Sequence, residues 1–201
     1  MQTTKPISRA DITGVILAGG RGQRLGGVDK GLMLLHGRPL IEYVLEALRP
    51  QVAEMMISAN RHRERYAAYA LPVVADETGD YAGPLAGMLS ALSAAPTPYI
   101  LTVACDTPSP PADLAARLAA ACTAETAACV AIAAGRVQPV FALLRCTSAE
   151  NLRDYLAAGG REVGDWLRRQ NAVAVDFLDN APAFSGINTP QEFHAAQQRL
   201  W

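Results

Sequence analysis

Seventeen residues, Val15 to Gly31 (VILAGGRGQRLGGVDKG), constrain this chain more than any other stretch. An apolar, β-type run from Gly14 to Ala18 leads into it. Glycines then stand at positions 19, 20, 22, 26, 27 and 31, interleaved with Arg21, Arg24 and the Asp29-Lys30 pair. Glycine lets backbone N–H groups approach a ligand with no Cβ in the way. Backbone donors mixed with Arg and Lys make a cradle for phosphate. A flexible surface loop would also be glycine-rich, but the strand leading in and the interleaved cations favour the cradle.

Spacing excludes two familiar phosphate loops. A P-loop requires Gly-Lys followed by Ser or Thr, whereas Lys30 sits between Asp29 and Gly31. A dinucleotide fingerprint requires Gly-x-Gly-x-x-Gly, and Leu25 stands where the third glycine should be. The chain carries 16 arginines and only two lysines, Lys5 and Lys30, so the lysine closing the glycine loop departs from the chain's own habit. A compact ammonium on a flexible stem suits a phosphate that moves during a reaction.

The length of 201 residues suits one α/β domain, and a hydrophobic fraction of 50% supports a full core. A net charge of −1 with 18% charged residues argues against nucleic acid as a partner. No apolar stretch has the length of a signal peptide or a membrane span, so the expectation is a cytoplasmic protein with no membrane partner. The four cysteines, 105, 122, 129 and 146, show no metal-type spacing and read as small buried hydrophobes in a reducing compartment. His36, His62 and His194 do not cluster, and no G-x-S-x-G occurs.

The pattern of elements is alternating. Strands are expected at 13–18, 53–59, 72–75 and 98–105, a hairpin over 126–134 and 137–145, and a last strand at 173–177. Helices are expected from Arg38-Pro39 to Pro50, from an Asn60 cap through Ala70, from Pro84, over 112–122, 148–157 and 161–169, and from the capping box Thr189-Pro190-Gln191-Glu192 onward. Strands alternating with helices predict a three-layer α/β/α single domain, 1–201, with a mostly parallel, Rossmann-like sheet.

In such a sheet, ligands bind beyond the carboxyl ends of the strands. That rim would receive the glycine loop, Ser58 and Asn60, Asp76, and Asp106. Asp106 follows eight mostly apolar residues and precedes a proline-rich turn with few N–H groups, so it needs a cation; magnesium shared with triphosphate oxygens meets the need. The less favoured alternative is that it starts an Asp-Thr-Pro turn. Asp76 could bind a ligand or simply end its strand. The triple Arg61-His62-Arg63 reads as a solvated helix start.

The wording LAGGRGQRLGGVDKGL resembles the signature of nucleotidyltransferases, roughly L-A-G-G-x-x-x-R-(M/L)-G-x-x-K, and most closely that of the molybdenum cofactor guanylyltransferases. Cys105-Asp106-Thr107-Pro108 resembles that family's metal-binding C-D-x-P turn. Asp76 through GPLAGM (83–88), Asn60 within A-N-R-H, Gln138-Pro139, Gly160-Arg161 and FSGINT (184–189) resemble other family phrases. The resemblance spans the whole chain and is strongest from Val15 to Asp106. It implies a fold of the nucleotide-diphospho-sugar transferase type and transfer of GMP from GTP to a molybdopterin cofactor with Mg²⁺. Further partners would be molybdenum cofactor-handling proteins.

The resemblance also implies residue roles. Arg24, Lys30 and Asp106 would be catalytic, with Asp106 on the metal. Leu17, Ala18, Gly19, Gly20, Lys30, Asn60, Asp76 and Asp106 would bind the nucleotide, the main chain of 17–19 reading guanine. The C-terminal third would hold the acceptor through Arg161 and Asn188. Position 60 departs from the family's more frequent placing of its asparagine, which falls at Ser58 here. Gly186 stands where a second asparagine is usual.

Overall fold

In the computed structural model, residues 6–20, 27–76 and 83–198 are described. Seven strands form one sheet in the order β5-β4-β1-β6-β8-β7-β9. They are β1 (Ile12–Leu17), β4 (Glu54–Ser58), β5 (Val73–Val74), β6 (Tyr99–Ala104), β7 (Ala128–Ala133), β8 (Arg136–Arg145) and β9 (Val173–Asp176). β5, β4, β1 and β6 run parallel to one another, and β9 runs parallel to β7. β8 runs antiparallel to both neighbours. A separate two-stranded ribbon pairs β2 (Leu34–Leu35) with β3 (Arg38–Pro39).

Both faces of the sheet are covered, as period-two alternation in the strands requires. Ile12 and Ile16 of β1, Met55 and Ile57 of β4, and Leu101 and Val103 of β6 share one core with α1 (Leu40–Leu48) and α4 (Leu114–Ala121). Val15, Met56 and Ile100 point the other way, into a second core with α3 (Pro84–Ala94), α5 (Ala149–Ala157) and α6 (Val163–Arg169). The architecture is the expected three-layer α/β/α with a mostly parallel sheet.

α1 buries Leu40, Ile41, Val44, Leu45 and Leu48, the predicted stripe. Fully burying each such side chain contributes about 1.5–3 kcal/mol. α3 is buried more widely than its stripe of Leu85, Met88, Leu89 and Leu92 suggests. Ala86, Gly87, Ser90 and Ala91 are buried too, because the sheet lies on one side and residues of α5 share the same core on the other. Both tight hairpins use two-residue turns with positive φ at each position, His36-Gly37 and Ala134-Gly135. That is the turn whose twist matches the flanking strands.

Three local expectations are corrected. Arg38-Pro39 does not begin a helix: it pairs with Leu34-Leu35, and the helix starts one residue later, at Leu40. Asn60 does not cap the next helix, which is α2, Arg63–Ala67, with left-handed His62 before it. The tight turn of the long hairpin is centred on Ala134-Gly135, not on Gly135-Arg136.

α7 (Pro190–Gln198) begins with the expected capping box. Glu192 N donates to Thr189 Oγ1 (3.1 Å), and Glu192 Oε2 accepts from the N–H groups of Thr189 (2.9 Å) and Asn188 (2.7 Å). Ile187 and Ala196 then pack with Leu35 and Leu40 in a small third core, against Tyr43 and Phe193. The segment before α7 is thereby fastened to the ribbon that immediately follows Lys30. Among the described residues, no helix is long and apolar enough to cross a membrane.

Candidate active site

A cavity of about 760 Å³ opens at the carboxyl ends of β1, β4 and β6. Its floor comes from Leu17, Ala18, Gly19 and Gly20, and its polar groups include Lys30, Ser58, Asp76 and Asp106. The parallel strands reach this rim with their ends, while antiparallel β8 reaches it with its beginning. Ala131 pairs with Gln138 but Val130 with Ala142, so Pro139, Val140 and Phe141 bulge out of the β7 ladder. Proline has no N–H to give a ladder and is at home in such a bulge. Thr102, buried in β6, donates its hydroxyl to Val140 O (2.9 Å). Gln138, Val140 and Phe141 line the cavity opposite the glycine stretch, with Phe184 edge-on to Phe141 at 5.0 Å between centroids.

Lys30 is the centre of the polar cluster. Its Nζ donates to Asp106 Oδ2 (2.8 Å) and to Asn188 Oδ1 (2.5 Å). The pair is mostly buried, with side-chain exposures of 21% for Lys30 and 15% for Asp106. An ammonium has three donors. Two are engaged among the described residues, which leaves one for a phosphate oxygen. Asn188 arrives from far along the chain through two anchors: the small core under α7, and the Ile187 N–H donating to Asp106 O (2.8 Å). Gly186 lies beside the carboxylate, and a Cβ there would stand 3.1 Å from Asp106 Oδ1. The same Cβ would stand 3.1 Å from Asn188 Nδ2, so a side chain at 186 would crowd both members of the cluster.

Asp76 lies on the same cavity in different company. Asn60 Nδ2 donates to Asp76 Oδ2 (2.7 Å), and Asp76 N donates to Asn60 Oδ1 (2.9 Å). Asn60 thus ties the end of β4 to the end of β5 instead of capping a helix. Burial pushes the Asp76 carboxyl above its ordinary range, and the Asn60 hydrogen bond opposes this. Ser58 also lines the cavity and is itself buried. Gly87 of α3 packs directly on Ser58 Oγ, at a distance that no Cβ would permit.

Of the expected site residues, Leu17, Ala18, Gly19, Gly20, Lys30, Asp76, Asp106 and Asn188 line the cavity. Asn60 is joined to it through Asp76. Arg24 lies outside the described residues. Arg161 is not brought to the lining: it is exposed, and its guanidinium donates to Leu156 O (2.9 Å) and Gly160 O (2.6 Å), closing the end of α5. Two main-chain groups expected to face a base are engaged elsewhere. Ala18 N donates to Ser58 O (2.8 Å), and Leu17 O accepts from Cys105 N (3.2 Å).

Sequence reasoning missed the segment 61–66. Arg61 is not merely solvated: its guanidinium donates to Gly20 O (3.2 Å) and Gly27 O (3.1 Å). His62 Nδ1 lies 3.1 Å from Asp29 Oδ2, and the buried Tyr66 hydroxyl donates to Asp29 Oδ1 at 2.5 Å. No local spacing signals these contacts. The one sequence hint was Asp29 itself, an acidic residue inside an otherwise cationic loop.

No group of three or more His, Cys, Asp or Glu is poised for a metal among the described residues. Magnesium needs no such cage, since one or two carboxylates with waters and substrate phosphates suffice. Asp106, a partly buried carboxylate on the cavity lining, fits that requirement.

A family model for the MobA-like NTP transferase domain matches residues 14–173. A molybdenum cofactor guanylyltransferase from Ralstonia nicotianae is 46% identical, covering 96% of this chain and 99% of that protein. One from Burkholderia lata is 49% identical, covering 94% and 96%. Among solved structures, molybdopterin-guanine dinucleotide biosynthesis protein A from Archaeoglobus fulgidus superposes with a TM-score of 0.74 at 23% identity, covering 92% of this chain and 97% of that one. A 4-diphosphocytidyl-2C-methyl-D-erythritol synthase from Anaerococcus prevotii gives 0.71 at 13% identity, covering 94% and 95%. At such identities the two structures speak for the fold alone.

Proposed function

Because this chain belongs to the MobA-like NTP transferase family, and within it to the molybdenum cofactor guanylyltransferases, we propose that it transfers GMP from GTP to a molybdopterin cofactor. The products are molybdopterin guanine dinucleotide and pyrophosphate. The observation that carries this reading is the Lys30–Asp106–Asn188 cluster, set at the mouth of a glycine-floored cavity on the strand-end rim.

An oxygen of the acceptor's phosphate attacks the α-phosphorus of GTP. The new P–O bond forms as the bond to the pyrophosphate oxygen breaks. A phosphate is already anionic at neutral pH, so the protein's task is to position the reactants and neutralise charge. Lys30 places its third N–H on a triphosphate oxygen while Asp106 and Asn188 hold its ammonium in place. Asp106 would hold Mg²⁺ together with the triphosphate. When bound, the ion offsets negative charge that the one lysine leaves uncompensated. Arg24 adds a second cation to the triphosphate.

Asp76, held by Asn60, meets the nucleoside end. Because Ala18 N and Leu17 O are engaged within the backbone and Gly20 O accepts from Arg61, recognition of guanine beyond β1 falls to Ala18 O, the main chain of Gly19 and Gly20 N. The acceptor sits against the bulge of β8 and Asn188, with Arg161 farther out. The reading places the protein in the cytoplasm, with proteins that deliver or receive the cofactor as partners.

The test is pyrophosphate release on mixing the protein with molybdopterin cofactor, Mg²⁺ and each nucleoside triphosphate in turn. Release with GTP, dependent on acceptor and on the metal, is expected. Equal or better use of CTP moves the chemistry to cytidylyl transfer. Failure to bind any nucleotide overturns the reading.

A further inference from the structure

Asp29 and Lys30 are neighbours of opposite charge, yet they do not neutralise one another. Lys30 turns to Asp106 and Asn188. Asp29 turns the other way and is buried, with 7% of its surface exposed. A buried carboxylate without partners would be costly. Its partners come from the segment that starts α2: Tyr66 Oη donates to Oδ1 at 2.5 Å, and His62 Nδ1 lies 3.1 Å from Oδ2.

The next residue is pinned as well. A Cβ on Gly31 would lie 2.6 Å from the Tyr66 hydroxyl and 3.3 Å from Cys105 Cβ. Residues 29–31 are thus wedged between Tyr66 and the residue that immediately precedes Asp106. Tyr66 is fully buried, and burial together with the nearby acidic groups pushes its hydroxyl well above the usual phenol range. It therefore remains a proton donor to Asp29 throughout the working pH. Arg61, five residues before it, grips the Gly20 and Gly27 carbonyls of the same glycine stretch.

We propose that Tyr66 is a positioning residue for Lys30: by holding Asp29 against the end of β6, it fixes the spacing between the Lys30 ammonium and Asp106. A free lysine side chain samples many rotamers. Anchoring its backbone on both sides narrows where the ammonium can go before any phosphate arrives. The catalytic consequence rests on the function proposed above; the geometric one does not.

Two measurements separate them. Lys30 is one of only two lysines, so its acetylation by a succinimidyl ester can be followed peptide by peptide, with Lys5 as the internal reference. In Tyr66→Phe, Lys30 is expected to label about threefold faster or more, as its latch opens locally. Tyr69→Phe is the control. It removes a hydroxyl that donates to Glu42 rather than to the loop, and it should leave Lys30 labelling unchanged. Turnover in Tyr66→Phe should fall about ten- to a hundredfold in kcat, with little change in KM for GTP. The same substitution in a Lys30→Ala background should cost almost nothing further.

Unchanged Lys30 labelling in Tyr66→Phe, or an equal loss of kcat with and without Lys30, overturns the proposal. Should Tyr66→Phe fail to fold, His62→Ala withdraws the other, half-exposed partner of Asp29 and must still speed Lys30 labelling for the proposal to stand. If labelling responds as expected but GTP and acceptor give no pyrophosphate, the positioning holds and the function proposed above is what fails.

Discussion

Asp106 and Asp76 invite comparison: both follow strands, both lie on one cavity, and their surroundings are opposite. Asp106 has an ammonium at 2.8 Å. Asp76 has a carboxamide, and burial raises its pKa. A carboxylate already balanced by a lysine is held in place by that contact. A carboxylate propped by an amide is positioned just as firmly but remains under-compensated until something cationic or N–H-rich arrives. Rim position fixes where a group stands; its nearest cation fixes what it can do.

The contrast breaks most severely if Asp106→Asn retains activity. That substitution keeps the size and removes the charge, and turnover should fall roughly a hundredfold or more while the melting temperature stays near that of wild type. Metal-dependent pyrophosphate release and a thermal scan check both halves.

Lys30→Ala removes the difference between the two carboxylates from the other side, by taking the ammonium away from Asp106. The barrier to transfer should rise by about 2–4 kcal/mol, read as kcat in the pyrophosphate assay. Lys30→Arg should also be impaired, because a planar fork cannot take the place of a point charge between Asp106 and Asn188. Full activity in Lys30→Arg would show that charge alone, not its shape, distinguishes the two sites.

Asp76→Asn sharpens the comparison through pH. The folded state raises this carboxyl's pKa, so it favours the protonated form. The stability that this supplies is complete below the usual carboxylate range and is lost as pH rises through the folded value. At neutral pH the ionised group is therefore a burden that asparagine does not carry. Asp76→Asn should melt at or above the wild-type temperature at pH 7 and lose that advantage in acid, while binding GTP more weakly. A clear drop in melting temperature at pH 7 would mean that Asp76 is as well compensated as Asp106.

The smallest effect belongs to Glu192. The N–H of Asn188 and the Thr189 cap hold its carboxyl below its ordinary range. Stability from this group is present above that range and fades as pH falls through the depressed value. The residue is exposed, so Glu192→Gln should cost only a few tenths of a kcal/mol, visible as a slightly lower melting temperature at pH 7 but not in strong acid. Turnover should fall modestly too, because the same carboxylate orients the backbone of Asn188.

The legible part of the site was the part encoded next to strand ends. Lys30 closes a glycine stretch that follows β1, and Asp106 ends the most apolar strand, so alternation and the rim rule place both. The Asn60–Asp76 exchange joins the ends of two strands across the rim, and a polar residue before a charged run reads locally as a helix cap. Arg61 and His62 went unrecognised for the same reason: three polar residues at a helix start look like a solvated face whether or not a loop lies over them. The bulge at Pro139 was not anticipated, because 137–145 reads as one uninterrupted strand when the proline in it is passed over. Arg161 shows the converse hazard, a basic residue in the right phrase whose guanidinium is occupied with closing its own helix.

The Lys30–Asp106–Asn188 cluster also has a consequence for how the molecule comes into being. Its members are separated along the chain by 76 residues from lysine to aspartate and by 158 from lysine to asparagine. The β7–β8 hairpin can form from neighbours alone within microseconds, whereas this cluster requires long loops to be closed first. A nascent chain exposing everything through Asp106 has its glycine loop and its aspartate but no asparagine to complete the latch. Until α7 docks, the lysine lacks one of the two partners that hold it.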